Sequence, residues 1–197
     1  MNDPLTASRR SLLAGGGLSA AALINLSGAT LAGAAPMAFV PPGHPDGGVD
    51  WWLLLDGIPG ESTDRDHPHQ IEVKAMDWQA VQKATSPSGS SSKDISLAFD
   101  TSAASPAILK RCVRGSAVPT ARLSGRKSGE GQHDFLWWDF TEVRFRSYDV
   151  AFTDGAPLDV VTLSFTQVTM TYRPQDAKGG LGTPITVTWN VKTDKVS

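Results

Sequence analysis

The chain of 197 residues holds one cysteine, Cys112, so it cannot close a disulfide within itself. Packing has to hold the fold together, even in an oxidising compartment. Charge of one sign is also scarce: 18 basic and 20 acidic side chains leave a net −2. That balance offers no electrostatic footprint for nucleic acid. Histidines number four, and the one grouping with metal-ligand chemistry is His67-Pro68-His69 beside Asp64 and Asp66. Two histidines one residue apart need ligands from elsewhere in the fold, so a polar loop is the expectation and no metal or cofactor. The chain has no Gly-x-Ser-x-Gly elbow, no His-Glu-x-x-His helix and no phosphate-binding glycine loop. Without a nucleophile, base and orienter in view, the reading is a protein that is not an enzyme.

A long hydrophobic run is missing too. The most apolar stretch, Leu12 to Leu26, is diluted by Gly15, Gly16, Gly17 and Ser19 and falls short of the ~20 apolar residues that cross a bilayer. No stable membrane anchor is expected. Ser8-Arg9-Arg10-Ser11-Leu12-Leu13 stands directly before and at the start of that stretch, and Ala32-Gly33-Ala34 follows it. Paired Arg9 and Arg10, then Leu12 and Leu13 opening a weakly apolar segment, then small residues Ala32 and Ala34 at a cleavage site, have the form of a twin-arginine signal peptide over residues 1–34. The partner this implies is the twin-arginine translocase, and the destination is the periplasm or the exterior. No cysteine lies near the cleavage site, so lipidation is not indicated. Residues 35–48 hold four prolines and three glycines and read as a flexible linker.

Residues 49–197 alternate with period two. Ile95, Leu97 and Phe99 form one apolar set, and Ile185, Val187, Trp189 and Val191 another, as half-buried strands require. Two strands change phase: Val143 and Phe145 give way to Tyr148, Val150 and Phe152, and Val161, Leu163 and Phe165 to Val168, Met170 and Tyr172. A phase change transfers the apolar set to the other face, so each predicts a bulge or bend. Ser105 as cap, Pro106 in the first turn and Gly115 as terminator predict one short helix, with Ile108, Leu109, Cys112 and Val113 as its buried stripe. Lys83 to Asp94 is rich in serine and reads as a mobile loop. The adjacent pairs Trp51-Trp52 and Trp137-Trp138 must each split across a strand, leaving one indole of each free for an interface, core packing or a sugar platform.

One passage points to a family. The run Val49 to Leu55 ends in Asp56-Gly57-Ile58-Pro59-Gly60-Glu61-Ser62, Ile71-Glu72-Val73 and Trp78 follow, and the chain closes with Val187-Thr188-Trp189-Asn190-Val191-Lys192-Thr193-Asp194-Lys195. This resembles the Hcp family, tube proteins of bacterial type VI secretion systems, across about residues 49–197. The family pattern is a D-G-hydrophobic-x-G-E-S turn and a W-[DN]-hydrophobic-K-x-[DN]-K ending. The resemblance implies a mainly β fold, a small β-barrel or two-sheet sandwich of six to nine strands with one short α-helix. It implies hexameric rings, self-association as the main partnership, secretion-apparatus proteins or small effectors as further partners, and no catalytic residues. It places a ring-stacking loop at Ser86, Gly89 and Ser91, where serine replaces much of the family's glycine, and makes Trp51, Trp52, Trp137 and Trp138 the first candidates for an interface. The chain departs from the family in its signal, since tube proteins leave the cytoplasm without one. The expectation is an exported Hcp-like, ring-forming structural protein; the alternative is a monomeric cell-envelope binding module on the same barrel.

Overall fold

The computed structural model describes residues 48–82, 90–92, 94–127, 133–153, 155–176 and 180–197. The export positions Arg9, Arg10, Leu12, Leu13, Ala32 and Ala34 lie outside the described residues, as do Ser86 and Gly89. In chain order the elements are β1 (Val49–Leu55), β2 (Ile71–Asp77), β3 (Ala80–Gln82), β4 (Ser90–Ser92), β5 (Ile95–Asp100), α1 (Ser105–Arg114), β6 (Val118–Lys127), β7 (Asp134–Thr153), β8 (Ala156–Ser164), β9 (Gln167–Tyr172), β10 (Ile185–Asn190) and β11 (Lys195–Val196).

Strands β7, β6, β1, β2, β5 and β8 pair in that order, and β8 pairs again with β7, so six strands close into a barrel. Closure is staggered, as it must be in any small barrel. Partners followed from Trp51 through Gly125 arrive at Leu136, whereas partners followed the other way, through Val73, Phe99 and Asp159, arrive at Val150. Both ends lie on β7. Its first half therefore pairs with β6 on one edge and β9 on the other, while its second half pairs with β8. Strands β10 and β11 extend the sheet outward from β9.

Both phase changes in the sequence have structural counterparts. The register of β7 against β8 shifts between Phe145 and Ser147, so Arg146 is the extra residue that turns Tyr148 back toward the core, where it packs. Val150 and Phe152, next on that face, instead run past the barrel and are exposed. The second change is a full break: Phe165 and Thr166 separate β8 from β9, with the Thr166 amide donating to the Thr141 carbonyl at 3.0 Å. The Lys83–Asp94 stretch is less loop-like at its margins than its composition predicts, because β4, which contains Ser91, pairs with β3 as a two-stranded ribbon.

The interior is filled by Leu53, Leu97, Phe99, Leu123, Phe140, Val143, Val161 and Leu163, each almost wholly buried. Helix α1 crosses from the end of β5 to the start of β6 and seals the barrel with Ala104 and Ile108, both at 0% exposure. Its N-cap is Ala104, not Ser105; the Ser105 hydroxyl accepts the Ser102 amide at 2.9 Å and so orders the approach to the helix. At the other end Gly115 takes a left-handed conformation (φ 62°), and the amides of Gly115 and Ser116 return to the Cys112 and Arg111 carbonyls. Glycine is favoured there because it alone adopts positive φ without strain. Beneath the first turn, fully buried Asp159 accepts the Thr101 hydroxyl at 2.6 Å. Burial, together with the Asp159 carboxylate, pushes the Tyr148 hydroxyl up from its ordinary pKa.

Candidate assembly surface

The tryptophan pairs split as strand alternation requires, but exposure does not follow the split. Trp51 shares the core-side face with Leu53 and Leu55; its ring stacks on Trp138 with centroids 5.3 Å apart and remains half-buried. Trp52 faces the opposite way and is nonetheless 5% exposed. The connection from β1 to β2 folds over it. Gly60 and Ser62 donate to the carbonyls of His69 and Gln70, which closes that connection into a compact loop, and His67 lies flat on Trp52 with ring centroids 4.2 Å apart. The His67 Nε2 meets Asp134 Oδ1 at 2.9 Å, and the Arg126 guanidinium lies 4.4 Å from the Trp52 ring centroid. Arg126 also pairs with Asp64, and its hydrogen bond holds the Asp64 carboxyl down at about 2.

These partners correct one expectation, that Trp52 and Trp138 serve an interface. Trp52 and Trp138, at 5% and 9% exposure, are core and loop-packing residues rather than surface anchors, since a side chain already covered by its own subunit has little area left for a second one. Of the Asp64, Asp66, His67 and His69 grouping, three side chains are paired within the fold: Asp64 with Arg126, Asp66 with Arg65, and His67 with Asp134. Among the described residues no group of three or more His, Cys, Asp or Glu side chains converges as metal ligands would.

Trp137 is half-buried on the outer face of β7, opposite Ser124 on β6 and Thr171 on β9. Around it the sheet is polar. Thr169 and Thr188 hydroxyls meet at 3.0 Å, those of Thr171 and Thr186 at 3.3 Å, and Arg122 grips Asp139 through two bonds of 2.6 and 3.1 Å.

The strongest apolar exposure falls on residues that alternation alone assigned to the interior. On α1, Leu109 and Val113 are 44% and 78% exposed, although they lie on the stripe read as buried; Ile108 and Cys112 take the barrel side instead. Val150 and Phe152 form a second group at the far end of β7, and Tyr172, Ile185 and Val187 a third on β9 and β10. A periodic pattern marks a face as apolar, not what covers it, so the sequence carried no signal separating these groups from core.

The family model described as "Type VI secretion system effector, Hcp" matches residues 52–172. The chain belongs to the Hcp family. Protein hcp1 of Pseudomonas aeruginosa is 30% identical over 155 residues, covering 73% of this chain and 96% of that protein. Hcp1 of Salmonella typhimurium superimposes with a TM-score of 0.65 at 28% identity, over 76% of this chain and 99% of that one. A structure described as a type six secretion system protein gives 0.70 at 26%, over 76% and 100%. The fold is thus the Hcp barrel with its single helix, and the protein is a type VI secretion tube or secreted protein by family. Hcp proteins are structural and secreted rather than known as enzymes.

Proposed function

We propose that this Hcp protein acts as a structural subunit that closes into a hexameric ring after export through the twin-arginine pathway, with the periplasm or the exterior as its place of work. The observation that carries the reading is the placement of its exposed apolar groups. Leu109 and Val113 on α1, Val150 and Phe152 on β7, and Tyr172, Ile185 and Val187 on β9 and β10 belong to different elements of one barrel. A cyclic ring needs a heterologous interface, in which two unlike patches of each subunit meet, and apolar side chains left in water are the usual material of such patches. The role requires no catalysis, cofactor or metal. Secretion-apparatus proteins and small effectors are its further partners, and the two-stranded ribbon of β3 and β4 is the element that reaches the next ring.

Light scattering and electron microscopy on the exported protein test the reading. A mass near six subunits with annular particles is the expected outcome. A strict monomer at high micromolar concentration refutes it and favours a monomeric envelope binding module on the same barrel.

A further inference from the structure

Of the six tryptophans, Trp51, Trp52, Trp78 and Trp138 each pack against another aromatic ring, and Trp189 donates its indole N–H to Asp194 at 3.0 Å. Trp137 has neither a ring contact nor a hydrogen bond among the described residues. An indole combines a flat apolar body with one donor, and both are normally engaged when it is partly covered. Those of Trp137 are left for something outside the chain.

The surface around it is unusual in what it carries. Directly paired residues share a face. The row through Trp137 starts at Trp52, beneath His67, and passes through buried Ser124 to Trp137, Thr171 and exposed Thr186. The next row is Arg122, Asp139, Thr169 and Thr188, and the one after it Thr120, Thr141, Gln167 and Asn190. Across β6, β7, β9 and β10 the indole is thus surrounded by seven hydroxyls, two carboxamides and two charges. From Trp137 to Thr186 is two strand steps, ~10 Å, and successive rows lie ~7 Å apart.

That chemistry excludes most occupants. The charges cancel, because Arg122 holds Asp139 through two bonds of 2.6 and 3.1 Å, so no anionic or cationic polymer finds a complement here. The face lacks the apolar core that a protein partner buries, and the exposed apolar groups of this barrel lie elsewhere. Hydroxyls are what remain. Thr169 pairs with Thr188 and Thr171 with Thr186, and each such pair uses one of its two protons, which leaves one proton and open lone pairs to offer. A surface that both donates and accepts, is uncharged, and holds one bare aromatic plane matches a ligand with apolar C–H faces and a rim of hydroxyls.

We propose that the outer face of β6, β7, β9 and β10 binds an uncharged β-linked glycan chain, with one sugar ring stacked on Trp137 and its neighbours hydrogen-bonded to the paired threonines. Equatorial linkages make such a chain a flat ribbon, as the strands are flat. The proposal is independent of ring closure, since it uses none of the apolar groups on α1, the far end of β7, or the Tyr172 side of β9 and β10.

The test is calorimetric titration of the full chain with cellohexaose and with chitohexaose. Binding of at least one, with a Kd below ~1 mM, is expected; Trp137→Ala should weaken it at least about tenfold and Trp137→Phe less than about threefold. Should Trp137→Ala fail to fold, Thr171→Val with Thr186→Val carries the test, because it keeps the strand and removes the hydroxyls; a loss of at least about threefold is expected. No binding of either oligosaccharide overturns the proposal, as does binding that these substitutions leave unchanged. Competition by dextran sulfate overturns it by showing an anion site. A Trp137→Ala protein that loses self-association, where the parent takes up no oligosaccharide, overturns it by placing a second copy on the face.

Discussion

Gly125 faces Trp51 across β1 and β6 with no room between them. A methyl group at Gly125 lands on Trp51 Cζ3 and comes within 2.6 and 2.9 Å of two further ring atoms, closer than real carbon contacts allow. In Gly125→Ala the indole must leave its place against Trp138, 5.3 Å away. Losing the stack costs ~0.5–1.5 kcal/mol, and returning roughly 60 Å² of apolar surface to water costs about 1.5 kcal/mol more. The expected destabilisation is ~2–3 kcal/mol, within the range for overpacked interiors. Urea unfolding followed by circular dichroism measures it without relying on the displaced fluorophore. The cause is isolated by a double-mutant cycle. Once Trp51→Ala has removed the ring, adding Gly125→Ala should cost less than ~0.5 kcal/mol further. A Gly125→Ala change within ~0.5 kcal/mol of the parent, or two substitutions that simply add, refutes the reasoning.

Arg126→Met should weaken the fold in a pH-dependent way. The guanidinium holds the Asp64 carboxyl at about 2, below its unfolded value of 3.8, so the pair stabilises the native state above ~pH 4 and is lost as pH falls toward 2. The stability gap between parent and variant should narrow over that window; a gap constant with pH contradicts the assignment. Changing Arg9 and Arg10 together to lysine should leave uncleaved precursor in the cytoplasm, and normal processing in immunoblots of cell fractions overturns the export reading. Shortening the ribbon between Lys83 and Asp94 should leave single rings intact while abolishing stacked ones in negative-stain images; unchanged stacks refute its assignment to the ring-to-ring contact.

Much of the fold was legible because it depends on local alternation. The switch of parity after Phe145 located the bulge at Arg146, and the switch after Phe165 located the break between β8 and β9. Pro106 and Gly115 bracketed α1 correctly, even though the capping role moved from Ser105 to Ala104. What was not legible depends on distant chain. Trp52 has outward parity and is buried because His67 and Arg126 cover it, and His67 is held through Asp134, 67 residues along. Leu109 and Val113 could not be told from Ile108 and Cys112, because which side of α1 meets the barrel depends on tertiary packing and not on the helix's own pattern. The exposed apolar groups could not be told from core for the same reason, as Ile185 and Val187 show: their strand alternates like any other, but it hangs from β9 outside the closed ring of strands.

The stagger that brings Leu136 and Val150 onto one strand has a consequence for how this chain tolerates length change. In an open sheet a strand that gains a residue can slide, and its edge takes up the difference. Here β7 is clamped by β6 and β9 along one half and by β8 along the other, so sliding to satisfy one neighbour misaligns another. An inserted residue has to be expelled as a local outpocketing. The strand already holds two places built that way, Arg146 at the register shift against β8 and Phe135 at the shift against β6, where Gly125 pairs with Leu136 but Arg126 with Asp134. Insertions in β7 should be tolerated at those two joints and nowhere between Leu136 and Thr141, which makes them the places where related barrels can differ in length without losing closure.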